Sequence, residues 1–361
     1  MNRIDTFLDM VIKQGGSDLH LISGNVPRIR INGDVFPVKY RVLTEEETSD
    51  LIFSIMNDNE KNEFDIDHVT DFSYSPSAEF RFRVNVFKHY DGIGAVLRAI
   101  PAEIQSLNSL GLPPVLKNLA RLKKGLILVT GPTGSGKSTT LSAIVDFINT
   151  ERKGHIITIE DPIEFVHRDK NCLISQREIG AHTKTFASAL RSALREDPDV
   201  ILVGEMRDLE TISLAVTAAE MGILVLATLH TNGAAATVNR IINVFPAGEE
   251  PYIRTMLSTS LCGVISQVLI RRADQKGRVA ALEIMINNAA VSNLIREGKI
   301  DQIDTVIQSG AMQGMQSFDN SLRKLIDSTT ITKNEAYLHA RNKADFEMDS
   351  ESDDDDDEEE N

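Results

Sequence analysis

The stretch Gly131-Pro132-Thr133-Gly134-Ser135-Gly136-Lys137-Ser138 decides the fold, because it has the phosphate-loop spacing and directly follows the apolar run 125–130. In such a loop the glycines let successive backbone N–H groups curl around phosphates, Lys137 reaches the outer phosphates, and the Ser138 hydroxyl is offered to Mg²⁺. Residues from Thr139 to 148 have a helical pattern whose positive N-terminal end would face the anion. The sequence therefore predicts a site for ATP and Mg²⁺, in preference to a glycine-rich turn with a surface lysine.

Composition places the chain among globular proteins. Its 361 residues, 42% of them hydrophobic, can bury large cores, and this length favours two domains. The sequence has no apolar run of the roughly 18–20 residues that a membrane span needs, and its first residues lack a signal-peptide pattern. The only two cysteines, Cys172 and Cys262, are too far apart for a zinc pair or a disulfide framework. We therefore expect a cytoplasmic protein.

The acidic charge is concentrated at the C-terminal end. The net charge is −15, but residues 347–361 contain eleven acidic residues and no basic ones, which leaves −4 for the rest. Such a run repels itself and buries nothing, so we expect residues 346–361 to be disordered. The tail is interpreted mainly as a solubilising end, with docking to a basic partner surface as the alternative. Because the folded part is not strongly basic, nucleic acid is not expected as a partner.

The pattern along the chain predicts two α/β domains. Residues 1–100 alternate strand-like segments with a helix that begins after a Thr44–Glu47 capping box, and Asn32-Gly33 supplies a hairpin turn. Residues 101–114 contain three prolines and a glycine, which is typical of a linker. Residues 115–345 alternate apolar runs with helical stretches, which predicts a mainly parallel sheet covered by helices. From about residue 289 the pattern is helical, in short segments broken at Gly298, Gly310 and Gly314.

Charged side chains follow several of the predicted strands, where open α/β sheets bind ligands. Glu205 follows the buried strand 199–204 and is the expected Mg²⁺-side carboxylate, although it could simply begin a helix. Glu160 and Glu164 flank Pro162 after another strand, and either could orient or deprotonate the attacking water, with a solvated acidic turn as the alternative. His230 ends a third strand and could sense phosphate or be structural.

Arginines outside the loop are ambiguous from pattern alone. Arg191 and Arg195 lie four residues apart on a helix, as either salt-bridged surface residues or phosphate contacts. Arg81 and Arg98 lie in the first domain, far in sequence from the phosphate loop. Arginines of this kind are common on half-exposed strands, so the pattern favours a structural role for them.

Taken together, the segments resemble the secretion and pilus ATPases, and most closely the twitching-motility family of type IV pilus retraction ATPases. The resemblance covers roughly residues 1–345. Its successive motifs stand in the family's order: Gly15-Gly16-Ser17-Asp18-Leu19-His20, the phosphate loop, Ile159-Glu160-Asp161-Pro162-Ile163-Glu164-Phe165, Leu194-Arg195-Glu196-Asp197-Pro198-Asp199 and Thr228-Leu229-His230-Thr231.

The resemblance implies a homo-hexameric ring in which a PAS-like first domain packs on the RecA-like ATPase domain of the next subunit, with ATP between them. Glu164, or else Glu160, would be the catalytic carboxylate, Glu205 the Walker B glutamate, and His230 part of the family's His box. Arg81 and Arg98 match first-domain arginines near the nucleotide. Hydrolysis would drive depolymerisation of pilin through an inner-membrane platform protein, so the chain would meet the membrane only through partners, at its cytoplasmic face.

Several positions depart from the family's pattern. Ile223 stands in place of the first histidine of the His box, Tyr90-Asp91 replaces a polar-arginine pair, and residues 290–297 alter the motif associated with retraction. These departures suggest a divergent paralogue, and the C-terminal region is similar to the accessory retraction ATPase. An accessory nucleotide-binding subunit that works with a paralogous ATPase and hydrolyses little ATP itself is therefore the alternative. An assembly or secretion ATPase is disfavoured, because the four-cysteine zinc module is missing.

Overall fold

The computed structural model describes residues 2–31, 33–77, 80–100 and 104–347, which form two compact units. The first unit holds the residues up to Ile104 together with Ile159–Asp169 and Ile174–Thr185. The second holds Gln105–Thr158, Lys170–Leu173 and the described residues from Phe186 onward. The grouping of two later segments with the first unit differs from the predicted domain bounds, which assigned all of 115–345 to one domain.

The first unit is built on a six-stranded antiparallel sheet with the order β3-β2-β1-β6-β5-β4. The alternating burial along its strands places side chains such as Leu19, Phe82 and Leu97 in one core. Its strands are β1 (Asp18–Ile22), β2 (Arg28–Ile31), β3 (Asp34–Pro37), β4 (Val69–Tyr74), β5 (Arg81–His89) and β6 (Gly92–Ile100).

Three helices cover this sheet: α1 (Asp5–Lys13), α2 (Glu45–Phe53) and α3 (Asp58–Asp67). The predicted capping box is confirmed, because the Thr44 hydroxyl accepts from the Glu47 backbone N–H while the Glu47 carboxylate accepts from that of Thr44. Of the predicted hairpin turn, Gly33 has a φ of 100° and Asn32 lies outside the described residues. The sequence interpretation omitted α1, α3, β3 and β4.

The second unit contains most of a seven-stranded sheet with the order β13-β12-β7-β11-β10-β8-β9. Its central strands β12, β7, β11 and β10 are parallel, as predicted, whereas β13 is antiparallel to β12. Its strands are β7 (Gly125–Thr130), β8 (His155–Glu160), β9 (Leu173–Glu178), β10 (Val200–Val203), β11 (Leu224–Leu229), β12 (Leu261–Arg271) and β13 (Arg278–Ile286). The strands β9, β12 and β13 were not predicted.

Six helices lie between or beside these strands: α4 (Val115–Ala120), α5 (Lys137–Glu151), α6 (Phe186–Ala193), α7 (Leu209–Glu220), α8 (Ala234–Ile242) and α9 (Glu250–Ser260). In α6, Arg191 pairs with the exposed Glu210, so this arginine is a salt-bridged surface residue. Beyond β13 come α10 (Ala289–Glu297), α11 (Ile303–Ser309), α12 (Phe318–Asp327) and α13 (Lys333–His339). The predicted series of short C-terminal helices is confirmed, with Gly298 ending α10 in the left-handed region.

The first residue of the predicted tail, Phe346, lies in a hydrophobic core. Phe346 is 4% exposed and packs in the cluster that α12 and α13 form with β12, so it is a core residue and does not belong to a disordered tail. Residues 348–361 lie outside the described residues, and their predicted disorder stays a prediction. Within the described ranges, no helix is both long and apolar enough to cross a membrane.

Candidate functional site

The phosphate loop connects the carboxyl end of β7 to the N-terminus of α5. The Lys137 ammonium folds back over the loop and donates to the carbonyl oxygens of Gly131 at 2.9 Å and Pro132 at 3.0 Å. Gly134 and Gly136 have φ values of 77° and 85°, a left-handed conformation that turns the backbone N–H groups toward one side. These backbone conformations are the ones that a phosphate-binding loop requires.

Gln267, on β12, holds the phosphate loop in place through its side chain. Its side-chain Nε2 donates to the carbonyl oxygen of Ser135 at 2.6 Å, and its Oε1 accepts from the Thr140 hydroxyl at 2.7 Å. A Cβ at Gly131 would lie 2.2 Å from the Gln267 carbonyl oxygen, and one at Gly136 would lie 2.8 Å from Nε2. Close packing against the Gln267 backbone therefore excludes a side chain at Gly131, whereas at Gly136 a side chain would displace the Gln267 amide group.

The residues of the loop fit a nucleotide and its metal. The Ser135 hydroxyl is buried without a hydrogen-bond partner in the described part of the chain, which is costly unless a ligand supplies one. The N-terminus of α5 opens onto the same loop and favours an anion. Ser138 stands at the second position of α5, where the phosphate-loop pattern places the hydroxyl that binds Mg²⁺.

Glu205 and His230, both predicted site residues, lie together. The Glu205 carboxylate is 3.3 Å from His230 Nε2 and 2.7 Å from the Arg207 guanidinium. Burial alone would raise the pKa of Glu205, but the hydrogen bond and charge of Arg207, aided by His230, hold that pKa below its ordinary value. Glu205 is therefore an ionised carboxylate at neutral pH, and Arg207 is a neighbour that the sequence interpretation did not consider.

The strand register explains why these residues approach the same edge of the sheet. Thr130, the residue before the phosphate loop, pairs with Leu229, the residue before His230. On the other side of β11, Val203 at the end of β10 pairs with Ala227. Since these three strands are parallel, their carboxyl ends meet at one edge, which is where ligands bind in such sheets.

Glu160 and Glu164 lie in the first unit and differ in their surroundings. Glu160 ends β8, and its Oε1 accepts from Gln176 Nε2 at 3.2 Å. Gln176 also donates to the carbonyl of Phe165 at 2.9 Å and accepts from the His167 backbone N–H at 2.7 Å. Its side chain therefore holds the loop that follows Glu160. The Glu164 carboxylate makes no hydrogen bond or ion pair among the described residues.

The two first-unit arginines are each held by a buried carboxylate of that unit. Arg81 pairs with Glu178, and Arg98 Nε lies 2.8 Å from Asp18 Oδ1. Burial alone would raise the pKa of Asp18, but hydrogen bonds from Ser17 and Arg98 keep it below its ordinary value. Each arginine therefore has a structural partner in its own unit, and any contact with nucleotide remains a prediction.

A buried carboxylate of the second unit anchors the loop that contains His230. Glu283 on β13 is 1% exposed, accepts from the Ala234 backbone N–H at 2.7 Å and pairs with Arg341. Ser266 on β12 accepts from the backbone N–H of Gly233 at 2.9 Å. Together these groups satisfy the first N–H groups at the start of α8, directly after the His230 loop.

Sequence reasoning missed Gln176, Glu178, Ser266, Gln267 and Glu283. A signal was present for some of them, since Ser266-Gln267 interrupts an otherwise apolar run and Glu283 stands in another. Polar residues within buried strands must find hydrogen-bond partners, and partners of this kind often belong to functional loops.

Comparisons with known proteins agree with this geometry. The family model described as type II/IV secretion system protein matches residues 1–353. A Pseudomonas aeruginosa protein named type IV pilus retractation ATPase PilT is 51% identical over 333 residues, which cover 92% of this chain and 96% of the relative. The type IV pilus ATPase PilU of the same organism is 39% identical over 353 residues, which cover 97% of this chain and 92% of the relative.

A solved structure is similar over nearly the whole chain. The crystal structure of the pilus retraction motor PilT with bound ADP has a TM-score of 0.89 and 44% sequence identity, covering 96% of this chain and 98% of that one. This similarity confirms the predicted fold class, a small α/β domain followed by a RecA-like ATPase domain. The chain belongs to the type II/IV secretion system protein family and, within it, to the retraction ATPases of type IV pili.

Proposed function

We propose that this protein is a ring-forming ATPase whose hydrolysis of ATP drives type IV pilus retraction by depolymerising pilin. The phosphate loop that Gln267 braces, with Lys137 and Ser138 at the start of α5, is the observation that carries the proposal. The 51% identity to a relative named as a retraction ATPase supports the biological role. The accessory alternative is not favoured, because a relative that is 51% identical and a solved structure that is 44% identical are both named for pilus retraction.

In this proposal the phosphate loop binds ATP through its own backbone. The backbone N–H groups of residues 131–136, except at Pro132, would surround the phosphates, and Lys137 would exchange the carbonyl oxygens of Gly131 and Pro132 for the outer phosphate oxygens. Thr139, in the first turn of α5, lies at the same end of the helix and belongs to the proposed nucleotide-binding residues. Ser138 would hold Mg²⁺ with Glu205 at its water shell, and the metal would neutralise charge on the phosphate oxygens.

We assign water activation to Glu164. Its carboxylate has no partner among the described residues, so it can accept a proton from water, whereas Gln176 already orients Glu160. Glu160 then serves to hold its own loop in place. His230, beside the ionised Glu205, is suited to sense the outer phosphate, because its contact with Glu205 changes if either group moves.

We further propose a homo-hexamer in which Arg81 and Arg98 of one subunit approach the ATP of its neighbour. Guanidinium groups recognise phosphates through paired hydrogen bonds, which suits them to this role. The proposed partners are the inner-membrane platform protein of the pilus and a paralogous retraction ATPase. The ring would then act in the cytoplasm, against the inner face of that membrane.

Steady-state ATP hydrolysis tests the proposal, measured at protein concentrations that permit ring assembly. We expect Lys137→Ala to lower kcat about a hundredfold or more, because the outer phosphates lose their cation. The exposed Lys123→Ala is the matched control, expected to hydrolyse ATP at the wild-type rate. Turnover that survives in Lys137→Ala would refute the site, and no turnover in wild type unless a paralogue is added would establish the accessory alternative.

Glu164→Gln and Glu160→Gln distinguish the two carboxylates. We expect Glu164→Gln to bind nucleotide normally and to lower kcat about a hundredfold or more, as loss of a general base does. Glu160→Gln keeps its size and a hydrogen-bond acceptor for Gln176, so we expect a loss of about tenfold or less. The reverse order of the two losses would move the catalytic role to Glu160.

A further inference from the structure

Glu178, the last residue of β9, is a buried carboxylate with several partners in the first unit. It is 7% exposed and accepts from the Arg81 guanidinium and from the backbone N–H of Ile163 at 3.1 Å. The Ser73 hydroxyl lies at the edge of hydrogen-bond range, 3.5 Å from the same oxygen. Burying a charged carboxylate is costly unless it is hydrogen-bonded and ion-paired, so Glu178 depends on these partners.

The Ile163 contact places Glu178 next to the proposed catalytic loop, because Ile163 directly precedes Glu164 in sequence. Gln176 lies two residues before Glu178 in β9, and residues at this spacing project from the same face of a strand. Gln176 holds the loop at Phe165 and His167, while Glu178 holds it at Ile163. Gln176 and Glu178, on the same face of β9, therefore hold the loop on both sides of Glu164.

The ion pair with Arg81 connects the Glu178 carboxylate to the six-stranded sheet of the first unit. Arg81 begins β5, and its side chain is 19% exposed. Its Nε is buried without a hydrogen-bond partner among the described residues. The Arg81 guanidinium is thus held through Glu178 alone, while its Nε–H donor stays unpaired among the described residues.

We propose that Glu178 is a positioning residue for ATP hydrolysis, whose one carboxylate holds the Arg81 guanidinium and the Ile163 amide at the same time. The arginine and the loop that bears Glu164 are then fixed relative to each other within the first unit. This inference rests on the proposed ATPase function and adds to it a residue that does not itself contact nucleotide. Loss of the negative charge frees Arg81 and loosens the loop while leaving the phosphate loop intact.

Glu178→Gln tests the proposal, because it preserves shape and an acceptor for Ile163 but removes the ion pair with Arg81. We expect kcat to fall about tenfold, as the loss of a charge-assisted hydrogen bond would produce, while the Kd for a fluorescent ATP analogue stays within about twofold. Glu210→Gln is the matched control, since it removes the exposed ion pair to Arg191 and should leave kcat and Kd unchanged.

A double-variant comparison with Arg81→Gln separates positioning from general destabilisation. If Glu178 acts through Arg81, the loss in the double variant is smaller than the product of the two single losses. Independent losses that multiply would overturn the inference, as would a kcat of Glu178→Gln within about twofold of wild type, or a loss confined to Kd. If Glu178→Gln does not fold, Glu178→Asp takes its place, with the same fall in kcat expected because the shorter side chain cannot hold the Arg81 guanidinium and the Ile163 amide at the same time.

The outcomes also separate this inference from the proposed function. Lys137→Ala measured beside these variants reports whether turnover comes from the phosphate loop. A wild-type rate in Glu178→Gln, with Lys137→Ala inactive, refutes only the role of Glu178. Turnover that persists in Lys137→Ala refutes the proposed function itself.

Discussion

Gln267 donates a hydrogen bond from its side chain to the carbonyl oxygen of Ser135, although 132 positions separate the two residues in the sequence. The contact joins the centre of β12 to the turn of the phosphate loop, and Thr140 completes it from α5. The phosphate loop is therefore supported by β12, a strand whose residues are not part of the phosphate-loop motif.

Gln267→Leu should weaken both stability and nucleotide binding. Leucine fills a similar volume but leaves the Ser135 carbonyl and the Thr140 hydroxyl unpaired, which costs about 1–3 kcal/mol for a buried polar group. Urea unfolding monitored by circular dichroism and titration with a fluorescent ATP analogue measure the two effects. The control Gln308→Leu changes an exposed glutamine and should stay within about 0.5 kcal/mol. Equal stability of the two variants would contradict the bracing role of Gln267.

Gly131→Ala should be more destabilising than Gly134→Ala. Both glycines have positive φ values, of 139° and 77°, so each alanine carries backbone strain of about 1–2 kcal/mol. Only at Gly131 would the new Cβ also collide with backbone, 2.2 Å from the Gln267 carbonyl oxygen. Denaturant unfolding in the absence of nucleotide compares them directly. A smaller loss for Gly131→Ala would show that β12 moves aside easily.

The contribution of Glu205 to stability should disappear in acid. Its pKa is lowered in the folded protein because Arg207 and His230 outweigh the effect of burial, so its contribution is present above the unfolded pKa. That contribution is lost as pH falls through the folded pKa. We therefore expect wild type to be more stable than Glu205→Gln at pH 7 and the difference to shrink as pH falls below the ordinary glutamate pKa of 4.5. A difference that is constant with pH would mean that the ion pairs contribute nothing.

The two cysteines should react with alkylating agents at different rates. Burial raises the pKa of both thiols above 9.0, so both are protonated at neutral pH and neither is a strong nucleophile. Cys262 is partly exposed whereas Cys172 is buried. Mass spectrometry after iodoacetamide treatment should find slow labelling of Cys262, faster as pH rises, and labelling of Cys172 only after unfolding. Equal rates in the folded protein would be inconsistent with the packing around Cys172.

The sequence predicts the parts of the site that are local. The phosphate loop needs only eight consecutive residues and the strand before them, and the polar residues at strand ends follow from the rule for parallel sheets. The bracing by Gln267 and the pairing of Glu178 with Arg81 join residues about a hundred or more positions apart. Such contacts depend on strand order and register, which periodicity does not determine.

Missed elements have a related cause. The strand β9 has the sequence Leu-Ile-Ser-Gln-Arg-Glu, in which polar residues dominate because Gln176 and Glu178 are used to hold the neighbouring loop. Its pattern is therefore not typical of a buried strand. The strands β12 and β13 are long, largely apolar runs, and for such runs periodicity alone does not separate strand from helix.

The adjacent pair Ser266 and Gln267 has a consequence for how this chain can change in evolution. Neighbouring side chains of a strand point to opposite faces, so one residue reaches the Gly233 amide and the next reaches the phosphate loop. Inserting or deleting a single residue before them in β12 would exchange the two faces and detach both loops at once. Variation in length should therefore be found in the connection between β12 and β13, at residues 272–277, and not within the strand.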